Sequence, residues 1–479
     1  MTTKVTESVK DQVNVHSKLT VVSSTPTEPM GQKYTLTPID HTMGSHTVHI
    51  IFYYRTSPFV KQGRYAMDLD NFRISLSDLL SKYPRMTGRL VVKDDGNWEV
   101  KHSDAGVRMY KASVGTTLDD WLKSANDSDE RKLTVWEEMP DGIPHSWSPF
   151  QIQLSEFEGG GLAIGISLTH LLADPTSTTL FYKSWTDVER GEPVANHCPI
   201  LDLPQLNSPP QQATNENTSI TTKHLQKHCK LAQVSSTKMT TFTFRFSNTI
   251  IKQCLSKIAD KCPKATPYDY LTALFWLQII KVKTSNAQVA TQSISLCIDA
   301  RKLLDNVSTP MKFFGNALSF SQLSLQNNIL MGDNGLVEAV ESIHHHVNKI
   351  KYDDISSMID WLENSKNGLD GQYPKVAQMY GPELTFVSLE HLVIPKDDSK
   401  VGFESLVYEA KFRNNEKPAH VSYHIGKAEG EGLIIIGPSP EGGLARTVTV
   451  TLPSEEIVKL SEDPVIMEME PTMIVSGKS

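Results

Sequence analysis

His170 and Asp174 stand in the order H-x-x-x-D, just after the run Gly159–Gly160–Gly161–Leu162–Ala163–Ile164–Gly165–Ile166–Ser167–Leu168–Thr169. An imidazole titrates near neutrality and can take the proton of an alcohol or amine as that group attacks an electrophile. A base positioned in this way is worth roughly 10²–10⁴ in rate. No Ser or Cys nucleophile with a matching base is evident, which favours direct attack over a covalent enzyme intermediate. A plainer reading has equal standing on the local sequence. In it His170 is a satisfied polar residue at a strand end, and Asp174 only caps a helix.

The flanking residues say which elements would position this pair. Leu162–Leu168 is a short, dense apolar run opened by glycines, which predicts a buried strand. Asp174 followed by Pro175 predicts an N-cap with proline at the first helical position, and the helix continues through Trp185. His170 would then sit where a buried strand hands over to a helix, held by rigid elements and facing a cleft. Phe150–Leu154 alternates and predicts the hairpin partner of the glycine-opened strand.

The 479-residue chain can bury a large core, and its 39% hydrophobic and 21% charged residues predict a soluble globular protein. A net charge of −8 without an extended basic run argues against a nucleic-acid partner. The five cysteines are odd in number and form no C-x-x-C pair, so a disulfide framework is not expected and a reducing compartment is. His197–Cys198 and His228–Cys229 lie in or beside polar, irregular sequence. The triple histidine His344–His345–His346 cannot turn all three side chains to one helical face. None of these is read as a metal site. Met1–Lys33 has no apolar leader segment, and no stretch is long enough to span a bilayer, which predicts a cytoplasmic protein. Peripheral attachment to the endoplasmic reticulum would leave no sequence mark.

Further elements follow from pattern. Strands are predicted at Leu19–Ser24, Thr47–Arg55, Arg89–Val92, Trp98–Val100, Thr240–Phe246, Ser293–Asp299, Leu318–Phe320, Leu384–Leu389, Ala419–Tyr423, Gly432–Ile436 and Ala445–Val450. Helices are predicted at Leu69–Tyr83, Leu118–Leu122, Asn248–Ala259, Tyr268–Ile280, Gly335–Ile350 and from Ser454. Leu36–Asp40 reads as a turn. Pro204–Thr222 is rich in Pro, Gln, Asn, Ser and Thr and reads as a surface crossover between two halves. The expected division is a flexible 1–15, a first domain 16–202 carrying H-x-x-x-D, a crossover linker 203–238, and a second domain 239–479.

Several pieces in this order resemble the BAHD superfamily of plant acyl-CoA-dependent acyltransferases. His170-Leu171-Leu172-Ala173-Asp174, preceded by Gly-Gly-Leu-Ala-Ile-Gly, resembles its H-x-x-x-D motif. Asp299-Ala300-Arg301 resembles its Asp-x-Arg segment, and Phe313-Phe314-Gly315-Asn316 its Tyr/Phe-Phe-Gly-Asn turn. Leu76–Leu80 with Tyr83-Pro84 and Gly88-Arg89-Leu90 resembles the early helix and the Pro-x-x-Gly-Arg-Leu after it, with one residue more between Pro84 and Gly88. The resemblance implies an α/β fold of two similar mixed-sheet domains, of the chloramphenicol acetyltransferase-like type, with a solvent channel between them. It implies a monomer that moves an acyl group from acyl-CoA, a co-substrate rather than a bound cofactor, to a small-molecule alcohol or amine. His170 would be the general base, and Asp174 would pair with Arg301 to shape the loop. The residues that contact CoA are not assigned by it.

The chain departs from the family at Asp-Phe-Gly-Trp-Gly-Lys-Pro. Here Lys411-Phe412-Arg413-Asn414-Asn415-Glu416-Lys417-Pro418 keeps only Phe412, Lys417 and Pro418. The same loss occurs in the ECERIFERUM/glossy branch, which Tyr380–Leu389 and Ala419–His424 also resemble. Members of that branch support very-long-chain fatty acid elongation for cuticular wax. The alternative expectation is therefore an accessory protein that works with an elongase condensing enzyme and does not need the histidine's chemistry.

Overall fold

The computed structural model describes residues 13–29, 31–59, 69–137, 147–203, 206, 219–231, 237–283, 289–304, 309–366, 371–395 and 403–477. Most of the proline- and glutamine-rich crossover, and most of the expected flexible N-terminus, lie outside them. Two mixed sheets organise these residues. The first has six strands in the order Val13–Val21, Val107–Thr117, Phe150–Glu158, Leu162–Thr169, Thr47–Tyr54, His420–Ile425. The second has seven, in the order Leu318–Gln326, Thr291–Asp299, Thr385–Ser388, Leu433–Pro438, Arg446–Pro453, Met239–Phe246, Thr472–Ile474. Neither closes into a barrel.

The strand before His170 is buried at every residue. It lies between Phe150–Glu158 and Thr47–Tyr54, antiparallel to both. A central strand covered on both faces has no reason to alternate, which accounts for its dense apolar run. Gly165 is needed there, because a Cβ would come within 2.1 Å of the Leu133 carbonyl.

In the second sheet, alternation sorts side chains between two cores. Ile294, Leu296, Phe386, Ile434 and Ile436 face one core with Phe275 and Leu271 of the buried helix Pro267–Val282. Cys297, Val387, Leu433 and Ile435 face another, which also holds Ile164, Phe181 and Trp185 of the first half. Successive strand residues point to opposite faces, so this sheet is a wall between the two cores.

The structure corrects several expectations. The first strand begins at Val13, not Leu19. Leu36–Asp40 leads into a short helix, Pro38–Thr42, started by a Thr37–Asp40 capping box. The strand Val107–Thr117 and the helix Tyr352–Asn364 were not foreseen. The expected crossover contains the helix Ile220–Lys230, which buries Thr221, His224, Leu225 and His228. His420–Ile425, expected in the second domain, pairs with Thr47–Tyr54 and completes the first sheet. A boundary at residue 239 leaves the second sheet whole and places one strand of the first sheet on its far side.

Candidate active site

The helix after His170 starts as its sequence predicts. Asp174 is the N-cap, Pro175 opens the helix Pro175–Glu189, and the Asp174 Oδ1 accepts from the Ser177 N–H at 2.8 Å. Capping uses one lone pair of one oxygen. The rest of the carboxylate meets Arg301: Nη1 donates to Oδ2 at 2.9 Å and Nη2 to Oδ1 at 3.1 Å. The Ala317 N–H donates to Oδ2 at 2.9 Å.

Arg301 also donates to Ser177 Oγ at 2.7 Å, to the Gly315 carbonyl at 3.0 Å, and to Asp299. Both side chains of the Asp174–Arg301 pair are fully buried. Burial alone would lower the guanidinium pKa, but the Asp174 and Asp299 carboxylates hold it above its ordinary value. A buried pair of this kind is tolerable because its geometry is bidentate and its remaining donors are satisfied. Asp174 makes no hydrogen bond to His170. It joins the start of the helix to the Phe313–Asn316 turn.

That turn delivers Asn316 to His170. The Asn316 Nδ2 donates to Asp40 Oδ1 and to the His170 carbonyl, both at 2.7 Å. The His170 carbonyl can only accept, so the amide orientation is set and Oδ1 faces His170 Nδ1 at 2.9 Å. The hydrogen-bond network therefore assigns the proton to Nδ1 and the lone pair to Nε2. On the other side, the Tyr380 hydroxyl lies 3.1 Å from Nε2. Burial first, then the neighbouring Cys297 and Asp174, raise the phenol pKa well above its ordinary value, so this hydroxyl is the donor.

His170 is fully buried, and burial lowers its pKa to about 4 against an upward pull from Asp174. Its imidazole is thus neutral at physiological pH. The arrangement is a base oriented by an amide, with a hydroxyl already at hydrogen-bonding distance. The Tyr380 ring is packed edge-on to His46 and Phe320. The chain turns sharply after it at Gly381, where φ is +98° and a Cβ would come within 2.4 Å of the Glu429 carbonyl.

His170, Asp174 and Arg301 are thus brought into one buried network, with His170 and Asp174 linked through the Asn316 turn. Two residues of the network were missed. Asp40 reads locally as the third residue of a capping box, and its second task, receiving Asn316, is long-range. Tyr380 lies in an irregular stretch without periodicity.

The altered loop is also placed. Phe412 is buried among Tyr54, Phe59, Phe72, Tyr182 and Trp185. Arg413 donates through Nε to the Glu189 carbonyl at 2.6 Å, and its N–H to the Glu189 carboxylate at 3.0 Å. A cation at a helix C-terminus complements the dipole. The loop anchors the far end of the helix that Asp174 begins.

The family model described as "Transferase family" matches residues 11–467. The chain belongs to that family, the BAHD acyltransferases. Among relatives of this acyltransferase-family chain, Protein ECERIFERUM 2 of Arabidopsis thaliana is 24% identical over 442 residues, 89% of this chain and 92% of that protein. Hydroxycinnamoyltransferase 2 of Oryza sativa subsp. japonica is 24% identical over 431 residues, 86% of this chain and 90% of its own length. The crystal structure of F. sporotrichioides TRI101 complexed with coenzyme A and T-2 shares the fold, with a TM-score of 0.67 at 14% identity over 92% of this chain and 99% of that one. Among the described residues, no helix is long and apolar enough to cross a membrane.

Proposed function

We propose that this BAHD-family protein moves an acyl group from a CoA thioester to an alcohol or amine, with His170 as the general base. The observation that carries the reading is the Nε2 lone pair of a neutral, Asn316-oriented imidazole lying 3.1 Å from a hydroxyl. That hydroxyl belongs to Tyr380, and it marks where an acceptor O–H or N–H would have to stand. In the reaction the acceptor displaces the phenol and attacks the thioester carbonyl as its proton passes to Nε2. The tetrahedral adduct then expels the CoA thiolate, which takes the proton from the imidazolium. Asp174 and Arg301 do not touch the reacting atoms; they hold the two chain segments that position His170.

The test is thiol release from a panel of acyl-CoAs, short aromatic to very long chain, with alcohol and amine acceptors. Wild type is expected to turn over with at least one pair. His170→Ala should lose roughly 10²–10⁴ in rate. Tyr380→Phe should keep at least the wild-type rate, since the displaced hydroxyl takes no part in the chemistry. Wild-type turnover unaffected by His170→Ala would refute the assignment of the base.

A second reading is favoured by the Tyr380 hydroxyl, which occupies the base, and by the departure of Lys411–Pro418 from the family loop. In it the protein is an accessory of very-long-chain fatty acid elongation for cuticular wax, partnered with a condensing enzyme at the endoplasmic reticulum. That reading expects no thiol release with any pair, and unchanged support of elongation in cells by His170→Ala.

A further inference from the structure

Away from His170, three buried polar atoms meet without hydrogen-bond partners. His224 and His228 lie one turn apart on the helix Ile220–Lys230, so their side chains share a face. His228 Nδ1 donates to the Gln378 carbonyl at 2.8 Å, which leaves Nε2 as the free nitrogen. His224 Nε2 meets Ser295 Oγ at 3.2 Å, which leaves Nδ1. Glu383, from the segment after Tyr380, turns one oxygen to Lys227 and the other toward the histidines. His224 Nδ1, His228 Nε2 and Glu383 Oε2 are all buried and all without a hydrogen-bond partner. Each residue offers a ligand atom within 4.8 Å of the other two, and His224 Nδ1 lies 4.0 Å from the Glu383 carboxylate.

A separation of 4.0 Å is too long for a hydrogen bond. Leaving a buried polar atom unpaired is destabilising. Three such atoms aimed at one point call for a common partner. Hydrogen bonds on the outer nitrogens of both rings are the arrangement that orients metal-binding histidines. A second grouping, Asp187, Glu192 and His197, lacks these features, because Lys183 and Arg190 already pair with Asp187.

We propose that His224, His228 and Glu383 form a binding site for a divalent transition-metal ion of the Zn²⁺ class, with a fourth position open to water. Two imidazole nitrogens and a carboxylate oxygen are a donor set that Zn²⁺ takes at about 2.0–2.2 Å. In a tetrahedral site such ligands lie about 3.3 Å apart, so small side-chain rotations close the gap. The ion would clamp the Gln378–Glu383 segment, and Tyr380 with it, against a helix from the stretch between the halves. The sequence around His228 reads as polar and irregular, so it carries no metal signal of its own. The third ligand comes from a segment far along the chain.

The test uses the full-length, untagged protein, stripped with a chelator and titrated with Zn²⁺ against a chromophoric competitor. Wild type should bind one Zn²⁺ per chain and melt at higher temperature with it. His224→Ala/His228→Ala should lose that tight equivalent, a larger effect than the roughly 10–100-fold cost of losing an outer-shell partner. Glu383→Gln should weaken it while leaving the fold intact. Co²⁺ in wild type should give the intense visible spectrum of a four-coordinate site. The proposal is overturned if stripped wild type takes up no Zn²⁺. It is also overturned if the double variant or Glu383→Gln binds as wild type does, which would place the ion elsewhere.

Discussion

A histidine can be placed for proton transfer and still be screened from it, and the surroundings of His170 do both. Asn316 fixes the proton on Nδ1, and the Tyr380 hydroxyl stands against Nε2. Burial lowers the imidazole pKa to about 4. The sign of the consequence follows. A group that must be neutral to act as a base, with its pKa lowered, stays competent as pH falls through 6.5 and fails only near 4. The acid limb of kcat/KM against pH is therefore expected near 4. A wild-type limb near 6.5 with a substrate whose own groups do not titrate there would show that the base works in a more solvated state than this one. Asp40 belongs to the same scale. Its carboxyl pKa is raised by burial, and with the His170 carbonyl it keeps the Asn316 amide from turning.

Between elements, the Asp174–Arg301 pair is the joint. It ties the start of the helix Pro175–Glu189 to the end of the strand Thr291–Asp299 and to the turn that carries Asn316. Lysine keeps the charge of Arg301 but not the planar fork, so the substitution is not conservative here. Arg301→Lys is expected to destabilise the protein by about 1–3 kcal/mol, the cost of leaving buried acceptors of the fork unsatisfied. Asp174→Asn should cost a similar amount, and the two together much less than their sum, because they break one network. Urea unfolding of the three variants measures this; strict additivity would mean that the two residues do not act as a unit. This joint was legible in the sequence, since Asp174-Pro175 carries a local capping signal and Asp299-Ala300-Arg301 a recognisable motif. The helix Ile220–Lys230 was not. Its buried face is made of threonine and histidine as much as leucine, so its pattern resembles a polar linker. The strand Val107–Thr117 was hidden similarly by arginine, lysine and serine at its alternate, partly exposed positions. Tyr380 could not be found by periodicity, because no regular element carries it.

At the scale of the whole molecule, the two halves share material. One core holds Ile164 and Trp185 of the first half with Phe320, Val387 and Ile435 of the second. The strand His420–Ile425 completes a sheet begun hundreds of residues earlier, along the edge of Thr47–Tyr54. This has a consequence for the order in which the chain can be made. While the ribosome is still building the second half, Thr47–Tyr54 is an unpaired edge, and from Val48 onward every residue is one that ends up buried. An open apolar edge of that kind is a template for pairing with another chain. A fragment ending at residue 238 is therefore expected to aggregate, and a peptide spanning residues 416–428 added during refolding to keep it soluble; light scattering with and without the peptide reads the difference. If the fragment stays monomeric unaided, the edge is protected by some other part of the first half. The nascent protein would thus depend on escort by a chaperone until His420–Ile425 emerges, however stable the finished molecule proves.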